Sequence, residues 1–346
     1  MGTLAITGCG LVTGVGLSAS ASCAAIRCAI DNFQETRFID KGGEWIMGCE
    51  APLEKPWRGR NKLIKMAASA ISECLADRPG IDPENTPLLL CLPEQSRPGR
   101  LIDDDNQFFL DLQNELGMEF HVKSRVIAAG HVSLAIAFKH AGVFIDEPEI
   151  EQVMVAATDS LLVRDTLSHY EESDRLLTSN NANGFIPGEA GAALVLESSS
   201  AVSGAHLCCL GLGFGVENSH VDSEEPLKAE GITTAIRESL QDAGCEMGDL
   251  DFRITDCAGE QYHFKEASLA QSRTLRTPKE SFDIWHPADC VGEVGAAQGA
   301  IMIAMLRAAC EKGYTLGSRM YAQLGNDDGK RSAMIFSWQT GDSDGQ

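Results

Sequence analysis

The sequence predicts an α/β protein made of two successive series of strands and helices, and three observations carry that prediction. Leu88 to Leu92 and Val153 to Ala156 are unbroken apolar runs, the pattern of strands buried on both faces. Between such runs lie stretches with apolar residues at helical spacing, such as Leu63, Met66, Ala67, Ala70, Ile71 and Cys74. A second series of similar make-up begins near Ser200, after a short polar join over 198–204 rather than a long tether. Strands alternating with helices imply mostly parallel sheets covered by helices. At 346 residues with 44% apolar and 23% charged side chains, the chain can bury a large core and is not wholesale disordered.

In chain order, Leu4 to Ile6 reads as a short strand entering glycine turns at Gly8–Gly10 and Gly14–Gly16. Ser18 then precedes a small-residue helix reaching Ile26. Arg60 to Ala76 is an amphipathic helix, and Val132 to Val143 returns to helical spacing through Leu134, Ala137, Phe138 and Ala141. In the second series, Leu207 to Phe214 reads as a strand and Ile232 to Ala243 as a helix. Phe252 to Thr255 is a strand, Ala297 to Ala309 a helix of small residues, and Ser332 to Ser337 a closing strand. The acidic run Asp103–Asp105 lacks calcium-loop spacing and reads as a solvated loop.

Charge excludes several function classes. The formal net charge of −22 leaves no basic face for nucleic acid, and it disfavours an anionic membrane surface. No apolar run reaches the roughly 18–20 residues of a membrane helix. The twelve cysteines form no C-x-x-C pair, and most sit among apolar neighbours, as reduced cysteines do. With no secretory leader visible over residues 1–7, the expectation is a cytoplasmic protein without structural disulfides. The histidines show no metal-ligand spacing, and Gly8-x-Gly10 lacks the rest of a dinucleotide loop, so neither metal nor cofactor is expected.

The most informative segment is Asn183 to Glu197, where Gly184, Gly188 and Gly191 punctuate a turn that runs into the apolar stretch Ala192 to Leu196. Glycine at this density marks backbone with positive φ or close approach to another segment. Glu189 lies inside the turn, where a buried charge needs a partner. Taken alone, the segment reads as a β-hairpin with a structural carboxylate. Set beside other landmarks, it resembles the DGF-x-x-GEGAG-x-x-x-LE signature of the β-ketoacyl-acyl-carrier-protein synthases. Ala5 to Gly16 is similar to the opening strand and turn of that family, Val155 to Ser160 to a strand ending in G-x-x-[ED], and Gly295 to Ala300 to its GAAG helix start. The resemblance spans nearly the whole chain in order. It implies the thiolase fold, with duplicated βαβαβαββ halves in five alternating α-β-α-β-α layers. The halves are placed at 1–200 and 201–346, usually in a homodimer.

The same resemblance exposes what is missing. The family's chemistry rests on a thiolate at a helix N-terminus and two histidines that stabilise developing negative charge. The nucleophile region here reads Ala129, Gly130, His131, with no cysteine. Ala258 stands where the first histidine is expected and Glu293 where the second is. The C-terminal glycine turn carries Asp327 and Asp328 in place of an apolar gate. Loss of a nucleophile alone costs ~10³-fold or more.

The sequence therefore predicts a synthase-like protein inactive in Claisen condensation and kept for binding an acyl group, a carrier protein or another protein. The alternatives are an acyltransferase of altered mechanism using Cys257 or His131, and a non-catalytic subunit of a heterodimeric synthase. Pocket candidates are His131, Cys257, Glu260, Glu293 and Asp327, against the plainer reading that Cys257 packs, Glu260 makes a surface pair and Glu293 caps a helix. His263 and His286 read as packing or surface residues. Arg58, Arg60, Lys62 and Lys65 form a basic cluster on the first long helix, which is either a docking face for acidic acyl carrier protein or a solvated helix face.

Overall fold

The computed structural model describes residues 2–340. The elements run β1 (Leu4–Val12), α1 (Ala19–Arg27), β2 (Gln34–Ile39), β3 (Trp45–Gly48), α2 (Gly59–Asp77), β4 (Leu88–Leu92), α3 (Asp105–Leu116) and β5 (Arg125–Ala128). They continue with α4 (Ser133–Ile145), β6 (Gln152–Ser160), α5 (Arg164–Glu172), β7 (Glu189–Ser198), β8 (His206–Val216), α6 (Glu230–Ala243) and β9 (Phe252–Thr255). The last are α7 (Gln261–Thr274), β10 (Ile284–Trp285), α8 (Ala288–Val291), α9 (Gln298–Glu311), β11 (Arg319–Gly325) and β12 (Lys330–Gln339).

Ten strands hydrogen-bond in the order β10-β9-β11-β12-β8-β1-β7-β6-β4-β5. Read outward from the β1–β8 seam, the two flanks are the same: first strand, fifth, fourth, second, third. The repeat that residue identity conceals is thus plain in strand order. The direction rule repeats as well. In each flank the second strand pairs in parallel with its two neighbours (β4 with β5 and β6, β9 with β10 and β11). The fifth strand, β7 or β12, runs antiparallel to both of its own. The sheet is therefore mixed rather than mostly parallel. The alternation of strand and helix breaks where β7 follows α5 and leads to β8 without an intervening α-helix.

The core sorts into layers. One cluster packs α2 and α3 on one face of the first flank, and another packs α6 and α7 residues on the outer face of the second. The largest lies between, where α1, α4 and α9 meet the inner faces of both flanks. This is the α-β-α-β-α arrangement. Small residues make it possible. Gly10 does not form a turn but lies inside β1, where an added Cβ would collide with the Ala70 carbonyl of α2. Close approach, not positive φ, explains the glycine there.

Several local readings change. Asp104 N-caps α3, accepting from Asn106 and Gln107 amides at 2.9 and 3.1 Å, and Asp105 pairs with Arg100, so the acidic run opens a helix rather than lying free. The strand after the glycine-rich turn begins at Glu189 itself and pairs with β6 and β1 rather than closing a hairpin. Ten of the twelve cysteines are buried and all twelve are free. Among the described residues no helix is long and apolar enough to cross a membrane.

Candidate functional site

The ends of β4, β6 and β9, the β11–β12 turn and the starts of α4 and α9 converge on one polar cavity. It is lined by Glu94, Arg97, Tyr170, Arg175, Asp256 and Asn326, together with the expected positions His131, Ala258, Glu260, Glu293 and Asp327. The cavity measures only about 20 Å³, room for about one water molecule.

Gly130 sits at the turn into α4 with φ of +58°, the left-handed region that suits glycine. A Cβ built there would run into Glu94 Oε2. Where a nucleophile is expected, the chain thus has no side chain, and a carboxylate fills the space one would take. Asn326 ties the turn down, donating from Nδ2 to the Ala129 carbonyl at 2.8 Å and accepting from the Val132 amide at 3.2 Å.

His131 lies between two carboxylates, with Nδ1 2.9 Å from Asp256 and Nε2 2.9 Å from Glu293. Both ring nitrogens face acceptors, so both must carry a proton for the two bonds to form, which is the imidazolium state. Burial opposes that charge, but the Glu293 and Asp256 carboxylates outweigh it and hold the imidazole well above its ordinary pKa. Glu293 also accepts from the Gly295 amide at 2.7 Å, so it caps the turn into α9 while pairing with His131. Glu293 thus lines the cavity and caps a helix start at once. A protonated histidine held by two acids cannot accept a proton, so it cannot act as a general base in this state.

Arg175 makes two bonds to Glu260 at 2.8 and 2.9 Å and a third to Asp327 at 2.9 Å, and Tyr170 donates to Asp327 at 2.9 Å. Glu260 is therefore part of a buried pair rather than a surface one. Burial raises the pKa of both acids, but Arg175 reverses it, holding Asp327 far below the usual carboxylate range and lowering Glu260. His263, expected to pack or face solvent, lines this cavity with Nε2 3.5 Å from Glu260. Arg97 bridges Glu94 at 2.7 Å and Asp159 at 2.6 Å, and Asp159 accepts from the Ala296 amide at 2.9 Å.

Cys257 is not among the lining residues. It is 1% exposed, and burial foremost pushes its thiol far above the ordinary range, so the altered-mechanism reading loses its sulfur. Cys91, at the end of β4 beside Ser133, is likewise buried and pushed up to about 12.

The basic cluster on α2 changes character too. Lys62 is 5% exposed, salt-bridged to Glu189 and 2.8 Å from Glu50, so it belongs to a buried ion cluster rather than to a solvated helix face open to a protein partner. Glu189 completes its set with Ala51 N–H at 3.0 Å and Ser160 Oγ at 2.9 Å. Arg60 pairs with Asp111, and Lys65 with Glu115 at 2.5 Å, both across to α3. Arg58 alone of the four stays exposed.

No protein-family model and no curated protein matches the chain. Solved structures do. One is a type II PKS acyl-carrier protein in complex with its ketosynthase bound to the hexaketide, at 14% identity over 97% of this chain and 99% of that one, with a TM-score of 0.78. Another is a ketosynthase in complex with its chain length factor from Xenorhabdus doucetiae, at 12% identity over 98% of each chain and a TM-score of 0.70. A third is a β-ketoacyl synthase from Burkholderia phymatum STM815, at 14% identity over 97% and 99% and a TM-score of 0.74. This chain has the ketosynthase fold.

The structure brings His131, Ala258, Glu260, Glu293 and Asp327 to one cavity, and most of the other side chains that line it were not singled out from sequence. Asp159 falls on the acidic position of the strand-end motif, whereas Glu94, Arg97, Tyr170, Arg175, Asp256 and Asn326 carry no spacing that marks them.

Proposed function

We propose that this protein has the ketosynthase fold without Claisen chemistry and acts by holding a protein partner. The carrying observation is the centre itself: Gly130 with Glu94 in its side-chain space, beside an imidazolium clasped by Asp256 and Glu293. An acyl transfer site needs a nucleophile and donors aimed at a developing oxyanion. Here the surroundings supply carboxylates, which oppose that charge. The small cavity also speaks against an acyl chain in this place. In this reading residues 1–200 and 201–346 form two halves of one body, whose partner is a ketosynthase-fold chain or a carrier protein. The solved relatives in complex with a chain length factor or an acyl-carrier protein support a protein partner. The pairing of Arg60 and Lys65 within the chain favours the synthase-like partner over carrier docking on α2.

The test incubates the purified chain with acyl and malonyl thioesters and reads intact mass and ketoacyl product. Neither adduct nor product is expected; an acyl-cysteine with turnover overturns the proposal. Co-expression with an intact ketosynthase, followed by light scattering on the purified species, should give a stable hetero-complex. A chain that joins neither a synthase nor a carrier protein removes the partner half of the reading.

A further inference from the structure

A second cavity, remote in character from the ion-paired centre, has the room and the charge that the centre lacks. It measures 160 Å³ and lies between the segment after β3, the start of α2 and the end of β6. A groove of 330 Å³ lies between the β2–β3 hairpin and α5. The two share Arg37, Phe38 and Arg164, which therefore form a common throat.

The lining is amphipathic in a specific sense. Phe38, Trp57, Leu101 and Leu162 supply apolar wall to the inner cavity. Arg164 makes no side-chain hydrogen bond or ion pair among the described residues. Arg37 lies over the Phe38 ring at 4.7 Å, with its nearest carboxylate, Glu50, 3.9 Å away and half exposed. Deeper in, Lys62 spends two of its three donors on Glu50 and Glu189, leaving one for an occupant. Glu189 is fully engaged by Lys62, Ala51 and Ser160, and Glu171 at the outer end accepts from the Lys41 amide at 2.5 Å. In a chain of net charge −22, a cavity lined by Arg37, Arg164 and Lys62 against two acids, Glu50 and Glu189, reverses the average composition. The other grooves do not offer this. The one beside Trp45 is rimmed by Glu35, Asp40 and Glu44, and the one between α2 and α3 has its cations already paired.

We propose that this throat and cavity bind a small amphipathic anion, with its acidic head between Arg37 and Arg164 and its aliphatic tail against Trp57, Leu101 and Leu162. Charge-assisted bonds to guanidinium favour a carboxylate or phosphate head, and the arginines can take either in bidentate fashion. The apolar wall adds affinity with each methylene buried, about fourfold per group. The two cavities share no lining residue, so either proposal can fail alone.

The test is calorimetric titration of the full chain at low salt with straight-chain alkanoates of increasing length, and in parallel with alkyl phosphates of matching length. Binding should tighten about fourfold per methylene until the cavity is full. The two series decide whether the head is carboxylate or phosphate. Arg164→Glu, at an exposed position, should weaken binding at least tenfold without changing the circular dichroism spectrum. Leu162→Trp should abolish the dependence on chain length. Absence of binding in both series overturns the site, as does an affinity that ignores both chain length and Arg164→Glu.

Discussion

The starts of α4 and α9 invite comparison, because they are the same turn made twice. Each opens with a glycine in the left-handed region, Gly130 at φ +58° and Gly295 at φ +54°, followed by a 3-10 turn and a buried helix of the central layer. In each, a carboxylate from the end of a neighbouring strand fills the space a side chain would take: Glu94 at Gly130, Asp159 at Gly295. Arg97 bonds both carboxylates and so joins the two turns. The difference lies in the next residue. After Gly295 comes Ala296, whose amide is capped by Asp159. After Gly130 comes His131, whose ring reaches Asp256 and Glu293 from the other half of the chain. Both turns have capped backbone, from Asn326 at one and from Asp159 and Glu293 at the other, but only the Gly130 turn adds a buried ion triad. The comparison teaches that the centre here is built as an inter-half clamp.

Breaking the shared element should cost most. Arg97→Met removes the cation between Glu94 and Asp159 and leaves a buried acid and a partly buried one uncompensated, an expected loss of about 3–5 kcal/mol in urea unfolding. A change below about 1 kcal/mol would mean that the two turns are not coupled through Arg97.

Next comes a thiol placed where the family resemblance expects one. Gly130→Cys forces a side chain into left-handed backbone, about 1–3 kcal/mol of strain, and against Glu94 besides. It should destabilise the protein and give no acyl adduct. Gly244→Ala is the control: its φ is +64°, but nothing stands within 4 Å of the added Cβ, so only about 1–2 kcal/mol is expected. Equal losses in the two variants would show that Glu94 does not occupy the Gly130 space.

The His131 clamp makes a pH-dependent prediction. Its folded pKa is raised, so the stabilisation is fully present below the unfolded value of about 6.5 and is lost as pH rises through the folded value. Wild type should therefore exceed His131→Gln by about 1–3 kcal/mol at pH 6, and the gap should narrow under alkaline conditions. A gap that widens with pH would mean that the ring is neutral in the folded protein.

The smallest effect is a labelling pattern. Cys28 is the exposed cysteine and Cys245 the partly exposed one, whereas Cys257 is enclosed. A thiol reagent on the native protein should modify Cys28 first and leave Cys257 until unfolding. Early labelling at Cys257 would revive a thiol-based activity.

Much of the fold was legible because it rests on local pattern. The boundaries of β4 match its apolar run residue for residue, β9 spans the strand expected over 252–255, and α2, α6 and α9 begin and end within two residues of their periodic stretches. Polar strands and helices were not legible: β2 has no clean alternation, and α7 is a polar helix held by a few small buried residues. Gly8 and Gly10 were read as turns because sequence cannot tell a glycine needed for φ from one needed for closeness; β1 runs straight through both. At the site, that Gly130, Ala258 and Glu293 are neither cysteine nor histidine was visible from residue types alone. What replaced them was not, since Glu94, Arg175 and Asp256 meet only after strands far apart in sequence are brought side by side.

Sequence alone settled the alternation of buried strands and amphipathic helices, the lack of a thiol before α4, and the need for a partner at Glu189. These follow from residue type and short-range period, which the chain carries before it folds. Tertiary structure decided the pairings: Lys62 for Glu189, Arg175 for Glu260 and Asp327, and two acids for His131. A charge shows its role only through the neighbour that compensates it, and in this fold the neighbours come from opposite ends of the chain.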